Sequence, residues 1–469
     1  MDAKRWMYPP LGASEVEDPL LPTTTRASSP AHSKRTRWTL RVGAWTVPAW
    51  MAAGVTFVLV VGALHRCSRN PRLSLLDTAS LPQDWHLSPQ QRLAQLNHDY
   101  NPDDEGLGGA RSVDLDRYRD ELHAAFDDLL PLRADSSAVD GLSGGPSTAT
   151  VRAQLDCLIS LDCRAPPPPI PNELFATERV VSPVPPTLVT WLDQNPSLRL
   201  TLLNDSAVDQ WVRRRFADSP RLLTTWADRL PLPILRFDLF RLLALVARGG
   251  VYTDGDTRAL RPLSAWSEGV AAFPPADRLL APTLRDNGTT PAPPSLVVGI
   301  EWKGHTEHNA RNPAYSRSAG VVQWTFAGAA GHPVFVDATR RVLRHSERVA
   351  ALRNGDDPRE DGEGPLQFDY EADRMVLEWS GPAVLTDSVA RYLRTRYGLS
   401  LAALASTPTP VRVGDVLLLP VQALNARTSV WLKLLDWTLG RGWAPWSPQW
   451  SRGSVVHEHA AGWWKQHVS

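Results

Sequence analysis

The first marked pattern along the chain is a run without charge. Residues 45–64 read WTVPAWMAAGVTFVLVVGAL. As a helix this run would extend about 30 Å, the thickness of the apolar core of a bilayer. Some forty mostly polar residues precede it and no clear small-residue cleavage site follows, which separates it from a secretory signal peptide. Lys34, Arg35, Arg37 and Arg41 lie before it, and Arg66, Arg69 and Arg72 after it, so a buried core helix is a poor fit. The pattern predicts one membrane span, and the Lys/Arg bias weakly favours a cytosolic N-terminus and a luminal body. Residues 1–44, rich in Pro, Ser, Thr and Arg, read as a disordered cytosolic tail. Residues 65–165 are mixed and polar, with a possible helix over 114–130 and a flexible run after it, and read as a luminal stem. The run APPPPIP at 165–171 marks the expected boundary of a catalytic domain over 166–469.

From about residue 170 the periodicity changes. PTLVTWLDQNP precedes a strand-like LRLTLLND, a helix near 206–217 follows, and a second helix spans about 232–248. Short apolar runs return at 296–300 and 415–420. Alternation of this kind predicts an α/β sheet flanked by helices. RNGDDPREDGEGP at 353–365 reads as an exposed charged loop.

Composition narrows the function classes. Fifty basic residues balance fifty acidic ones, so nothing points to nucleic acid as a partner. Three Cys neither build a disulfide scaffold nor offer zinc spacing. In a lumen Cys157 and Cys163 could close a short loop or remain free thiols, and Asn204 and Asn287 head glycosylation triplets. Trp is unusually frequent, with Trp431, Trp437, Trp443, Trp446 and Trp450 crowded near the end, as core anchors or sugar-stacking faces.

The chemistry-bearing stretch is 230–263, LPILRFDLFRLLALVARGGVYTDGDTRALRPL. Leu235, Leu239, Leu242 and Val246 fall on one helical face, and Gly249 and Gly250 stop that helix. Val251, Tyr252 and Thr253 then read as a buried strand, with Asp254 and Asp256 at its carboxyl end, where α/β sheets bind ligands. In extended backbone the two carboxylates project to one side. Their mutual repulsion is relieved by a hard divalent cation, which can hold a diphosphate as it leaves. Asp238 and Arg241, three apart on the helix, form either an exposed ion pair or contacts to donor hydroxyls and phosphate.

This stretch resembles the DXD-containing glycosyltransferases of the fungal initiation-specific α-1,6-mannosyltransferase family. Asp238, Arg241, Leu245, Gly249, Gly250, Tyr252, Asp254 and Asp256 fall in register with its pattern. LVVGIE (296–301), VVQWTFAGAAGHPVF (321–335), SGPAVLTDSVARYL (380–393), VVHEHAAGWWK (455–465) and, upstream, TWLDQNPSLRLTLLND (190–205) follow the order of its other blocks. The resemblance implies a single nucleotide-sugar-binding α/β domain of the GT-A type, with a mixed, mostly parallel sheet, a retaining transfer and manganese (or magnesium) as cofactor. It assigns Asp238, Arg241 and Tyr252 to the donor, and Asp254 and Asp256 to metal and nucleotide. His459 would be a metal or diphosphate contact, and Asp387 a catalytic group facing sugar or acceptor. The implied reaction moves mannose from GDP-mannose to glycoprotein N-glycans in the Golgi, alone or in a complex with other mannosyltransferases. A sphingolipid acceptor, or a non-catalytic subunit of such a complex, is the alternative. The chain departs from the family at Asn172–Thr177, which lacks the expected Lys and His, and at Leu242, where an aromatic is usual.

Overall fold

The structure is a computed structural model. It describes residues 39–42, 45–48, 115–131, 145–160, 163, 165–268, 270–272, 293–303, 319–355, 375–397, 399, 401–405, 410–424 and 454–457. The chain forms two compact units, Met1–Leu59 and Val60–Ser469.

In the first unit, β1 (Thr39–Val42) and β2 (Trp45–Pro48) make an antiparallel hairpin, with Thr39 opposite Pro48. The first four residues of the expected membrane span are therefore strand, not helix. Proline lacks an N–H and sits at the hairpin's end, where it interrupts no ladder. Residues 49–64 lie outside the described residues, as do Asn287 and the five clustered Trp. Among the described residues no helix is long and apolar enough to cross a membrane.

The second unit is built on a nine-stranded mixed sheet in the order β4–β3–β5–β10–β8–β12–β11–β7, with β9 paired to β8. The strands are β3 (Glu173–Thr177), β4 (Arg199–Leu203), β5 (Gly250–Thr253), β7 (Ala271–Ala272), β8 (Leu296–Lys303), β9 (Ala319–Val321), β10 (Thr325–Gly328), β11 (Val411–Val413) and β12 (Val416–Leu419). β3 pairs in parallel with both β4 and β5, β12 with β8, and β11 with β7, whereas β10 lies antiparallel between β5 and β8. A separate two-stranded ribbon joins β6 (Thr257–Ala259) to β13 (Val455–His457).

Alternate strand residues enter two different cores, as a period of two requires. Phe175, Tyr252, Leu296, Val298, Phe326, Val416 and Leu418 face one cluster. Leu174, Ala176, Val251, Val297, Ala327, Leu417 and Leu419 face the other. The helices are α1 (Leu115–Leu129), α2 (Thr148–Ile159), α3 (Pro186–Gln194), α4 (Asp205–Arg215), α5 (Pro220–Thr224) and α6 (Pro233–Arg248). They continue with α7 (Pro333–Asn354), α8 (Met375–Trp379), α9 (Pro382–Tyr397), α10 (Leu401–Ala405) and α11 (Val421–Leu424). Helix α6 is buried on almost every side over Leu239–Arg248 and forms the spine of the larger core. Pro233 opens it, and Gly249 ends it at φ 68, a backbone that side chains avoid. A Cβ at Gly249 would come within 2.5 Å of the Ala330 nitrogen, so glycine also permits close packing there.

The segment expected as a stem takes part in this core. Tyr118, Leu122, Phe126 and Leu129 of α1, and Val151 and Leu155 of α2, lie in the same buried cluster as α6 and α7. Packing therefore extends well before residue 165, because α1 has an apolar face that only the body can bury. Glu121 on α1 is bonded to Arg391 of α9 at 2.8 Å, with Arg340 of α7 close by at 3.3 Å. Cys157 and Cys163 are joined in a disulfide. Asn204 caps α4, its side-chain oxygen accepting the Ala207 N–H at 3.0 Å.

Candidate metal centre

The helix stop and the following strand deliver Asp254 to the carboxyl edge of the sheet. The main chain then turns. Thr257 N–H bonds back to Asp254 O at 3.1 Å, and the Thr257 hydroxyl reaches the same oxygen at 2.7 Å. Asp254 and Asp256 thus meet across a tight turn, not along a pleat as the extended-chain expectation had it. Gly255 stands at its apex, where a Cβ would lie 2.0 Å from Glu178 Oε1, so that a larger residue would displace the Glu178 side chain.

The turn is closed by the ribbon strand β13, whose His457 stands opposite Thr257. His457 Nε2 lies 3.2 Å from Asp256 Oδ1, and its ring stacks on Trp324 with centroids 4.7 Å apart. Asp254 N–H in turn donates to Trp324 O at 2.8 Å. One ligand atom from each of Asp254, Asp256 and His457 falls within 4.8 Å of the others. Two carboxylates and an imidazole suit manganese or magnesium in chemistry, so these residues fit a divalent ion. His459 lies outside the described residues. His457 was missed because the resemblance singled out His459, and HEH offers two histidines on the same side of an extended strand that spacing alone does not rank.

Behind the pair lies a buried polar network. Tyr252 O–H donates to Asp254 Oδ1 at 3.0 Å, and Arg241 approaches the same oxygen at 3.6 Å. Arg241 also pairs with Asp238 at 3.1 Å, donates to Gln323 O at 2.9 Å, and stands over the Tyr252 ring. Asp238 accepts from the Ser380 hydroxyl at 2.9 Å, while the Gln323 amide donates to Ser380 O at 2.7 Å. Asp238 and Arg241 are only 3% and 7% exposed, so the surface ion pair allowed by their spacing is not what forms. Burial pushes the Asp238 carboxyl up to about 6 against the pull of Arg241 and Ser380. Asp254 is raised as well, first by burial, with Arg241 opposing and Asp256 adding repulsion. Glu178 is raised by burial and then by Asp256 and Asp254. Negative charge is thus concentrated where a cation relieves it. Asp387 is buried on α9, outside the three-residue cluster around Asp254, and the adjacent Thr386 hydroxyl accepts the Val321 N–H at 3.0 Å.

Residues 186–272, which contain α6, β5 and the Asp254–Asp256 turn, match the family model described as a glycosyltransferase sugar-binding region containing a DXD motif. The Asp254–Asp256 turn thus lies inside a stretch similar to the sugar-binding region of DXD-containing glycosyltransferases. The chain is 30% identical over 238 residues to the initiation-specific alpha-1,6-mannosyltransferase of Schizosaccharomyces pombe, covering 50% of this chain and 51% of that protein. It is 25% identical to the protein of the same name from Candida albicans, covering 50% of this chain and 58% of that one. The chain thus spans about half the length of the curated relatives it matches. Among solved structures, the PaToxG glycosyltransferase aligns with 62% of this chain and 92% of its own, at 12% identity and a TM-score of 0.27, too remote to bear on function. The mixed sheet flanked by helices fits the GT-A type.

Proposed function

We propose that this protein is a glycosyltransferase, a retaining α-1,6-mannosyltransferase that moves mannose from GDP-mannose to N-glycans of glycoproteins. The observation that carries this reading is the convergence of Asp254, Asp256 and His457 behind a DXD turn, in a chain similar to fungal mannosyltransferases. Manganese (or magnesium) held by these three residues would neutralise the charge that develops on a departing diphosphate. Arg241 holds the Asp254 carboxylate in place through its bridge to Asp238, and Tyr252 fixes the same oxygen from the strand side. Asp238 and Arg241 are assigned to the donor sugar and Asp387 to the sugar or acceptor side. His459 is retained as a metal or diphosphate contact. A Golgi location with one membrane span within 45–64 and a luminal body belongs to the same proposal. The Cys157–Cys163 disulfide supports an oxidising compartment. Association with other mannosyltransferases is compatible with this placement.

The test is transfer and hydrolysis by the full-length protein with a panel of nucleotide sugars and manganese. GDP-mannose is expected to be consumed in preference to the others. Asp254→Asn and Asp256→Asn are expected to lose turnover while keeping the wild-type melting curve. Full activity in either variant, or preference for another nucleotide sugar, refutes the proposal.

A further inference from the structure

A row of buried hydroxyls runs from the sheet into the Asp254–Asp256 turn. Thr325 and Thr253 are cross-strand partners on β10 and β5, and their hydroxyl oxygens lie 2.6 Å apart. The Thr253 hydroxyl lies 2.5 Å from that of Thr257, which donates to Asp254 O at 2.7 Å. All three threonines are fully buried. A threonine hydroxyl has one proton and two lone pairs. The Thr257 proton goes to Asp254 O, so Thr257 accepts from Thr253, and Thr253 in turn accepts from Thr325. The other acceptor position of Thr257 is filled by the Trp191 indole N–H at 3.2 Å, shared with Thr257 O. The Thr257 hydroxyl is therefore saturated, and its direction is fixed.

Trp191 belongs to a helix face that grips the turn. Thr187, Thr190 and Trp191 of α3 are spaced three and four residues from the first, on one side of the helix. The Thr187 hydroxyl donates to Gly255 O, Trp191 reaches Thr257, and Thr190 Oγ1 accepts the Ala259 N–H at 2.9 Å. Alternate residues of the turn and β6 are thus bonded to α3. Thr257 is also the point where the three ligand-bearing segments join. It follows Asp256, its N–H and hydroxyl both reach Asp254 O, and it stands opposite His457 in the β6–β13 ribbon.

We propose that Thr257, with Thr187 supporting it at Gly255, is the positioning residue that sets the spacing of Asp254, Asp256 and His457 for a divalent cation. Both hydroxyls act on main-chain carbonyls of the turn rather than on the ion. A ligand set held in place beforehand spends none of its binding energy on ordering, so loosening the turn weakens binding. The proposal rests on the reading of Asp254, Asp256 and His457 as the cation site.

The experiment titrates manganese into the full-length protein, follows the free ion by electron paramagnetic resonance, and records a melting curve for each variant. Thr257→Val keeps the side-chain shape and the main-chain bond to Asp254 O but removes the hydroxyl. It is expected to weaken manganese binding by about tenfold. Thr257→Ser, which restores the hydroxyl, should bind roughly threefold more tightly than Thr257→Val. Thr187→Val, at the half-buried start of α3, should weaken binding by about threefold. A purely structural role would lower the melting temperature and leave the affinity unchanged. Wild-type affinity in folded Thr257→Val, or a Thr257→Ser no better than Thr257→Val, overturns the proposal while Asp256→Asn and His457→Ala still lose the ion. Where Thr257→Val does not fold, Thr187→Val decides, and wild-type affinity there overturns the proposal. Wild-type affinity in both Asp256→Asn and His457→Ala overturns the cation site itself.

Discussion

Replacing Asp415 should expose how strongly the catalytic body depends on one buried carboxylate far from the proposed chemistry. Asp415 lies just before β12, and its side chain is almost fully enclosed. Its Oδ2 faces His332 Nε2 at 2.9 Å, and its Oδ1 accepts from Tyr392 at 2.9 Å and from Tyr397. His332 caps α7, its Nδ1 accepting the Val334 N–H at 3.2 Å. The bonding therefore assigns the ring proton to Nε2, where it is donated to Asp415. Three elements, α7, α9 and β12, are tied at one point. Asp415→Ala strips the acceptor from three buried donors. Tyr392 has a fallback in Leu158 O at 3.4 Å, which leaves His332 and Tyr397 as the principal losses. At about 1–3 kcal/mol per orphaned buried donor, the cost is roughly 2–6 kcal/mol. At about 2 °C per kcal/mol for a large domain, that lowers Tm by about 4–12 °C. Asp415→Asn should cost less, because a turned amide keeps an oxygen toward His332. Urea and thermal unfolding followed by circular dichroism measure both variants. A loss below about 1 kcal/mol in Asp415→Ala, or a larger loss in Asp415→Asn, would refute the accounting.

Two further outcomes are expected. Asp337 is fully buried among Arg341, Arg340 and Arg391. Burial alone would raise its carboxyl, but the three guanidinium groups hold it well below the ordinary range. A depressed folded value means its stabilisation is present above about pH 4 and fades as pH falls toward the folded value. The gap in stability between wild type and Asp337→Asn should accordingly be constant from about pH 6 to 8 and close below about pH 4; a gap that widens in acid would contradict the sign. Reduction of the Cys157–Cys163 bridge, six residues apart in sequence, should cost about 2 kcal/mol by loop entropy, read as a lower Tm in dithiothreitol that Cys157→Ser abolishes.

The pattern along the chain determined a good deal on its own. Helix α6 and strand β5 are local consequences of leucine spacing, a Gly-Gly stop and a Val-Tyr-Thr run of β-branched and aromatic residues, and Asp254 and Asp256 follow them. The α/β alternation and the strands near 199, 296 and 416 rest on equally local signals. Other features needed the folded chain. Asp238 and Arg241 look like a surface pair by spacing, because burial depends on what α6 packs against, and here it is covered on nearly all sides. The choice of His457 depends on β13 pairing with β6 across about two hundred residues of sequence, a register that hydrogen bonds set and composition does not. Residues 65–165 read as a polar stem with one possible helix, since the apolar faces of α1 and α2 are sparse and become meaningful only against the larger core. Local periodicity specifies elements through contacts a few residues long, whereas the meeting of a carboxylate, an imidazole and a cation is a long-range event that only tertiary packing decides.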